Sequence, residues 1–355
     1  MTKRFASVLI DTYNHERFIE KAIGSVLEQD FPICEREIIV VDDGSTDRTP
    51  EIVRKFEPRV RLLRKENGGQ ASAFNAGIPE CKGEIIAFLD GDDWWAPGKL
   101  HAVTSALADD VAVGLVGHGI TEVFSDGRQH TELLREVPRF RIDSEAGARA
   151  FRLRKSFLGT SRMTFRAELL QRIGKVPEAL RFEADEYLFT LAGFFSDVLI
   201  LRESFTFYRL HETNAFQIAD GDKEAIRRKQ RVLETLAGSL RTVLAEHQTP
   251  ENLARIVVEW IETEADMLRL SLDRGFPWET FRAELRNHAV AYENTSALRW
   301  LFKCITLLPA CFMTSRSYYS LRQRFARNGV YLKAREKWLP FLQPAHVDRY
   351  RTTRP

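Results

Sequence analysis

Two apolar runs of strand length each end in a cluster of aspartates. Glu37-Ile38-Ile39-Val40-Val41 runs into Asp42-Asp43-Gly44-Ser45-Thr46-Asp47, and Glu84-Ile85-Ile86-Ala87-Phe88-Leu89 runs into Asp90-Gly91-Asp92-Asp93. Apolar runs of this length, separated by helical patterns, read as neighbouring parallel strands of an α/β sheet. Ligands bind such sheets beyond the carboxyl ends of the strands. Like charges gathered at that edge repel one another unless a divalent cation, hydrogen bonds or solvent offset them. The pattern predicts a nucleotide and metal site.

The flanking sequence fits that frame. Ser7-Val8-Leu9-Ile10 reads as a first strand, and Glu16 to Gln29 carries Ile19, Ala22, Ile23, Val26 and Leu27 at helical spacing. A helix over Thr49–Phe56, a strand over Val60–Leu63, a helix over Gln70–Cys81 and a helix over Gly98–Leu107 follow. The alternation predicts a mostly parallel, Rossmann-like sheet covered on both faces. Val111 to Phe124 is β-rich and breaks it, and Arg139 to Asp185 reads as loops and short helices. Ala184–Phe194 reads as a helix and Val198–Leu201 as a strand. Long amphipathic helices over Asp222–His247 and Pro250–Arg274 come next. After the Gly275-Phe276-Pro277 break, a further helix runs through Tyr292. A boundary near Ala219–Asp222 divides the chain into 1–220, an α/β domain, and 221–355, a mainly helical region.

Charge matters at one end. From Arg299 onward twelve Lys or Arg face only Glu336 and Asp348, a local charge of +10 on a chain whose total is +2. A basic end predicts an anionic partner, with a membrane surface foremost. Leu298 to Met313 is apolar with a basic rim, which suits a peripheral contact with lipid, packing against the body, or the interface of a homodimer. The four cysteines form no C-x-x-C pair, no leader-like apolar core follows Met1, and Cys304–Met313 is too short to span a bilayer. The expectation is a cytoplasmic protein, peripheral at most at the inner face of the membrane, with no nucleic-acid partner.

Ser7-Val8-Leu9-Ile10-Asp11-Thr12-Tyr13-Asn14, the Asp42 cluster, Asn67-Gly68-Gly69 with Asn75-Ala76-Gly77, and Asp90-Gly91-Asp92-Asp93 together resemble glycosyltransferase family 2. The resemblance covers the segment up to Ala215. It implies a GT-A fold and inverting transfer of a sugar, of hexosyltransferase type, from a nucleotide-diphosphate donor. In such a reaction charge develops on the departing phosphate, and Mg²⁺ or Mn²⁺ stabilises it as a Lewis acid. The resemblance implies Asp92 as a direct metal ligand, Asp90 on the metal or the ribose together with Gly91, and Asp42 on the nucleobase, with Asp43 assisting. Thr12, Tyr13 and Asn14 lie at the nucleotide, Tyr13 with a ring for the base to stack on. Gly69 and Asn75 belong to the loop and helix near the ribose or diphosphate, where a helix N-terminus favours anions. An ordinary helix-entry turn explains Gly68 and Gly69 equally well.

An inverting transfer also needs a general base for the acceptor hydroxyl. Glu183-Ala184-Asp185-Glu186 lies where the family carries an adjacent Glu-Asp pair, and here Ala184 interrupts it. Asp185 is the favoured base, with Glu183 and Glu186 as alternates. An acidic cap on a helix N-terminus explains each carboxylate alone. Tyr208-Arg209-Leu210-His211-Glu212-Thr213-Asn214 resembles the family's closing motif. It implies His211 on the metal or the diphosphate and Arg209 as a phosphate counter-charge.

Two departures bear on chemistry. Asp11 stands where the family commonly has Pro, which adds a charge expected near the base pocket. Gln-x-x-Arg-Trp does not occur; Ser296-Ala297-Leu298-Arg299-Trp300 lacks the Gln. A carbohydrate or lipid-linked acceptor receiving one sugar in surface polysaccharide or glycolipid biosynthesis therefore fits better than processive synthesis. The competing classes are a sugar-nucleotide nucleotidyltransferase and a non-catalytic sugar-binding or scaffold homologue. The first would need a Gly-rich basic loop after the first strand, and Asp11-Thr12-Tyr13-Asn14 is not one.

Overall fold

The computed structural model describes residues 5–132, 138–152, 158–211, 222–291 and 297–326. The chain divides into two compact units between Ala215 and Phe216. Glu212–Asn214, residues 219–221, Tyr292 and the basic residues from Arg327 onward, all singled out above, lie outside the described residues.

The described residues of the first unit build a ten-stranded sheet. Its strands are β1 (Ala6–Thr12), β2 (Arg36–Asp42), β3 (Arg61–Arg64), β4 (Ile85–Asp90), β5 (Trp94–Trp95), β6 (Val113–Val123), β7 (Gln129–Thr131), β8 (Arg139–Phe140), β9 (Thr164–Arg166) and β10 (Asp197–Arg209). The helices are α1 (Ile19–Leu27), α2 (Thr49–Arg54), α3 (Gln70–Gly77), α4 (Lys99–Asp109), α5 (Glu145–Arg152), α6 (Ala167–Ile173) and α7 (Ala184–Phe195). The strand order is β3-β2-β1-β4-β9-β6-β10-β5, with β7 beside β6 and β8 beside β10. The first four positions are mutually parallel, β9 runs antiparallel to both β4 and β6, and β10 is parallel to β6. The sheet is mixed and mostly parallel.

Burial on both faces explains the continuous apolar runs. Val8, Ile10, Val40, Ala87 and Leu89 pack against Ile19, Ala22, Ile23 and Val26 of α1 and against Trp95 and Leu100. On the other face Phe88 meets Phe74 of α3 and Phe165 of β9, with ring centroids 5.0 and 5.6 Å apart. A side chain on Gly77 would stand 2.4 Å from Leu9 and 2.8 Å from Val41, so α3 presses directly on the sheet there. Register then aligns the acidic ends: Asp11 pairs opposite Asp90, and Thr12 opposite Asp42.

The structure departs from the sequence reading in the irregular middle. β9 sits at the centre of the sheet, inside the stretch read as loops and short helices. Three residues are too few to show a period. β10 runs on to Arg209 instead of ending at Leu201. Arg202, Glu203 and Ser204 break the apolar run there, and the pairing with β6 shifts register at the same place. The helix from Gln70 gives way after Gly77 to a single tight turn, Ile78–Glu80, at Pro79.

The second unit is helical: α8 (Lys223–Glu246), α9 (Glu251–Leu272), α10 (Pro277–Ala291), α11 (Ala297–Leu307) and α12 (Ser315–Ala326). The Asp222 carboxylate accepts the free N–H groups of Glu224 and Ala225, both at 3.0 Å, and starts α8. Leu233, Leu236, Leu240 and Leu244 of α8 and Val257, Val258 and Ile261 of α9 are buried at helical spacing. Glu284 of α10 is fully buried and clasps Lys303 of α11 at 2.9 Å and Arg322 of α12. Removing one partner of a buried ion group strands the others. Because Arg322 is half exposed and can turn to water, Glu284→Ala is expected to cost about 2 kcal/mol rather than more. Denaturant unfolding of the variant checks this, and an unchanged midpoint would show the clasp to be idle.

Candidate active site

Asp90 ends β4, and the chain then turns through Gly91 to Asp92 and Asp93. A Cβ on Gly91 would stand 2.5 Å from Thr12 Oγ1 and 2.8 Å from His15 Nδ1, so only glycine lets this turn lie against the end of β1. One carboxylate oxygen from each of Asp90, Asp92 and Asp93 lies within 4.8 Å of the others. Asp11 joins them from β1. Its side chain is hydrogen-bonded to Asp90, and its Oδ1 is buried with no hydrogen-bond partner. The carboxyl at position 11 therefore joins the acidic cluster.

Burial first, then the neighbouring charges, holds the carboxyls of Asp11, Asp90 and Asp93 above the ordinary carboxylate value. Asp92 goes the other way. Burial pushes it up, but the hydrogen bond from His211 and the nearness of His15 hold it low. His211 Nε2 is 2.9 Å from Asp92 Oδ2, and His15 Nε2 is 3.8 Å from the same oxygen. Burial lowers the His15 ring against the pull of Asp92, and the hydrogen bond from His211 is the largest of the effects that hold Asp92 low. A hard divalent cation suits this donor set: clustered carboxylate oxygens, an orphaned buried acceptor, and an excess of negative charge to offset. Asp93 is otherwise engaged. Its Oδ2 accepts from Ser161 Oγ at 2.6 Å and its Oδ1 from the Arg209 backbone N–H at 3.0 Å. Asp90 and Asp92 are thus the freer ligands. The Arg209 guanidinium lies 4.7 Å from the ring centre of Phe18 and 4.6 Å from that of Trp94, a fixed cation beside the cluster.

A second group of residues forms around the end of β2. Asp42 is fully buried; its Oδ1 accepts the Ser45 N–H at 3.0 Å. Its Oδ2 lies 3.1 Å from Arg64 Nε, near enough for an ion pair but not aligned as a hydrogen bond. Tyr13 is exposed on the neighbouring strand end. Asn14 takes a left-handed conformation, φ 56°, and braces the loop: its N–H donates to Ser45 Oγ and its Oδ1 accepts the Thr46 N–H, both at 2.8 Å. Asp43 gathers the glycine loop. It accepts from Lys65 Nζ at 2.8 Å, the Gly68 N–H at 3.0 Å and the Gly69 N–H at 2.7 Å. Gly69 has φ 86°, and a Cβ there would meet the Arg181 backbone at 2.7 Å. Asn75 is tied elsewhere: its amide exchanges both hydrogen bonds with the backbone of Val176, at 2.7 and 2.9 Å.

Asp185 lies in the first turn of α7, close enough to the acidic cluster that its charge raises Asp90 and Asp11. Its Oδ1 accepts the Glu186 N–H at 2.9 Å and its Oδ2 the Thr160 N–H at 3.2 Å. Burial lifts its carboxyl above the ordinary value against the pull of these bonds. Glu183 caps α7 with φ 62°, and Glu186 is buried.

Gln70 was not singled out in the sequence, yet it spans the gap. Its Nε2 donates to Thr160 Oγ1 at 2.9 Å and its Oε1 accepts the Ala184 N–H at 3.0 Å, so it fixes both neighbours of Asp185. Gln70→Leu keeps the size and removes both bonds. It is expected to lower turnover about tenfold with donor affinity unchanged, as for an outer partner that orients an acting group; initial-rate kinetics separate the two. Ser161 and Lys99 were missed as well. Ser161 Oγ bridges Asp93 and Asp90, and its carbonyl accepts from buried Lys99 Nζ and from Thr206 Oγ1, both at 2.7 Å. Ser161 lies in the segment without a readable period, so no sequence signal marked it. His15, three residues beyond Thr12, carried only the generic signal of a histidine near a strand end.

Residues 7–174 match Glycosyl transferase family 2. An uncharacterized glycosyltransferase of Nostoc sp. is 30% identical over 213 residues, 59% of this chain and 65% of the relative. The poly(ribitol-phosphate) beta-N-acetylglucosaminyltransferase TarS of Staphylococcus aureus is 39% identical over 92 residues, 25% of this chain and 16% of the relative. The chain thus spans under two thirds of the length of these curated relatives. Among solved structures, S. aureus TarS 1–349 superposes with a TM-score of 0.55 at 19% identity, covering 90% of this chain and 91% of that one. The mannosyltransferase PcManGT from Pyrobaculum calidifontis, in complex with GDP-Man and Mn²⁺, gives 0.51 at 21%, covering 95% and 88%. With its strand order, its carboxylates at the ends of β2 and β4 and the match over residues 7–174, this chain has a GT-A fold followed by helices, and its segment 7–174 is a glycosyltransferase family 2 domain.

Proposed function

We propose that this chain is a metal-dependent inverting glycosyltransferase. It moves one sugar from a nucleotide-diphosphate donor to a hydroxyl of a carbohydrate or lipid-linked acceptor, in surface glycan or glycolipid assembly on the cytoplasmic side. One observation carries the reading: Asp90 and Asp92 from the end of β4 and Asp185 from the start of α7 share one electrostatic site. The names of the relatives and the nucleotide sugars bound by TarS and PcManGT accord with it.

Asp92 and Asp90 would hold Mg²⁺ or Mn²⁺, with His211 alongside. When bound, the cation supplies Lewis-acid stabilisation of the leaving diphosphate. Arg209 adds a second, fixed positive charge. Asp42, with its unaligned buried oxygen, suits an N–H of the base, and exposed Tyr13 a stacked ring. Asp185 accepts the acceptor's hydroxyl proton while that oxygen bonds the anomeric carbon. The bond from that carbon to the phosphate oxygen breaks, and its electron pair leaves with the diphosphate. Inversion follows, because attack comes from the face opposite the leaving group. Residues 1–220 carry the transfer in this reading, and 221–355 serve the acceptor, an oligomer or a membrane surface.

Calorimetric titration with UDP and GDP, with and without Mn²⁺, tests it. Binding of one of them only when Mn²⁺ is present is expected. Equal binding of that nucleotide in the presence of chelator would remove the metal from the account.

A further inference from the structure

Helix α11 has two apolar faces, and its own unit uses one. Leu307, together with Ala310 just beyond the helix, packs with Tyr318 of α12, beside Phe281 and Leu285 of α10. Lys303 on that side is held by Glu284. The other side carries Leu301 and Ile305, one turn apart, and Leu308 and Phe312 follow in and just after the tight turn Leu308–Cys311 that ends the helix. They are 57, 54, 52 and 85% exposed. A stripe this apolar is not the default outer face of a surface helix.

The stripe has an extension. The N–H groups of Ser315 and Arg316 donate to the carbonyls of Gly275 and Asp273, which brings the turn between α9 and α10 beside the segment that carries Phe312. That turn presents Phe276 and Trp278, 77 and 62% exposed. Aromatic side chains with aliphatic neighbours and a basic rim suit the boundary between lipid head groups and acyl chains. The rim is present. Arg316 is exposed, and the segment from Arg299 to Ala326 carries five Lys or Arg and no acidic residue. Among the described residues no helix is long and apolar enough to cross a membrane, so contact through this face would lie in the membrane plane.

We propose that the Leu301–Phe312 stripe, with Phe276 and Trp278, docks on an anionic lipid surface, its apolar side chains entering the head-group boundary and the basic residues meeting the lipid charge. A second copy of this chain is the competing occupant. The charge decides against it, because two copies meeting through this face would bring two strongly basic segments together, whereas an anionic bilayer neutralises them.

The test uses the full-length protein and vesicles of phosphatidylcholine with or without phosphatidylglycerol, read by flotation. Binding to the phosphatidylglycerol vesicles is expected, with weak binding to pure phosphatidylcholine. The double variant Ile305→Ser with Phe312→Ser alters only exposed side chains. It should keep the wild-type circular dichroism and weaken binding at least tenfold. Failure of the wild-type protein to float with anionic vesicles overturns the proposal, and so does equal binding to both lipids. Undiminished binding by the double variant would assign the contact to charge alone and reject the apolar stripe. A wild-type dimer in light scattering that the double variant dissolves, with no vesicle binding, would give the face to a second subunit. None of these readouts depends on transferase activity.

Discussion

Asp92→Asn is expected to lower turnover by about a thousandfold and to leave the fold intact. The estimate rests on the several kcal/mol that a bound cation contributes to a departing phosphate, with about 1.4 kcal/mol for each factor of ten. Asn keeps the shape and an oxygen for His211 to contact, but it does not supply the charge a hard cation requires. The companion variant Asp90→Asn separates a metal ligand from a structural carboxylate. Burial and the charges of Asp11 and Asp92 oppose ionisation of Asp90, so the metal-free protein carries that charge at a cost. Removing it should raise the Tm of the metal-free protein while abolishing the gain in Tm on adding Mn²⁺ with nucleotide. Asp92 is held low by its histidine contacts, so Asp92→Asn should leave the metal-free Tm level or slightly reduced. Thermal melts with and without metal, beside initial rates, read all four outcomes. Full activity in Asp92→Asn would count heavily against the assignment.

The carboxyl-end placement of Asp42 and Asp90 was legible because β2 and β4 are buried on both faces and write themselves as unbroken apolar runs. The same logic located α1, whose apolar stripe matches one face of the sheet. What the sequence could not show is what depends on register and on short pieces. Asp11 faces Asp90 only because β1 and β4 pair in that phase, which no local pattern around Asp11 could show. β9 is three residues long, yet the single tight turn before it, Thr160–Arg162, holds Thr160 and Ser161 at the centre of the site. Their hydroxyls then meet Asp185, Asp90 and Asp93 across gaps of 25, 71 and 68 residues. No local pattern carries contacts of that range. At Asn75 and Asp43, residues that the resemblance implies at the nucleotide, register and loop packing also set the partners: Asn75 bonds Val176 and Asp43 the glycine loop.

Asp185→Asn is expected to retain metal-dependent donor binding and to lose transfer by a factor of about 10² to 10⁴, the range of a positioned general base. The pH dependence gives a second readout. The acting form is the carboxylate, so turnover of the wild-type protein must rise with pH as Asp185 loses its proton. Burial holds that carboxyl above 3.8, and the acid limb should lie above the position of an exposed aspartate. In Asp185→Asn that limb should vanish from whatever rate remains. The geometry also ranks the alternates. Glu186 is 2% exposed, which leaves an acceptor little access to it. Glu183 sits outside the first turn of α7 in a left-handed conformation, where its side chain leaves the helix end at an angle different from that of Asp185. Asp185 has both carboxylate oxygens held by backbone donors, of Glu186 and Thr160, and so has the fixed orientation that proton transfer rewards. If Glu183→Gln abolishes transfer with donor binding intact while Asp185→Asn does not, the base lies one residue outside the helix, and the bonds at Asp185 are those of a helix cap.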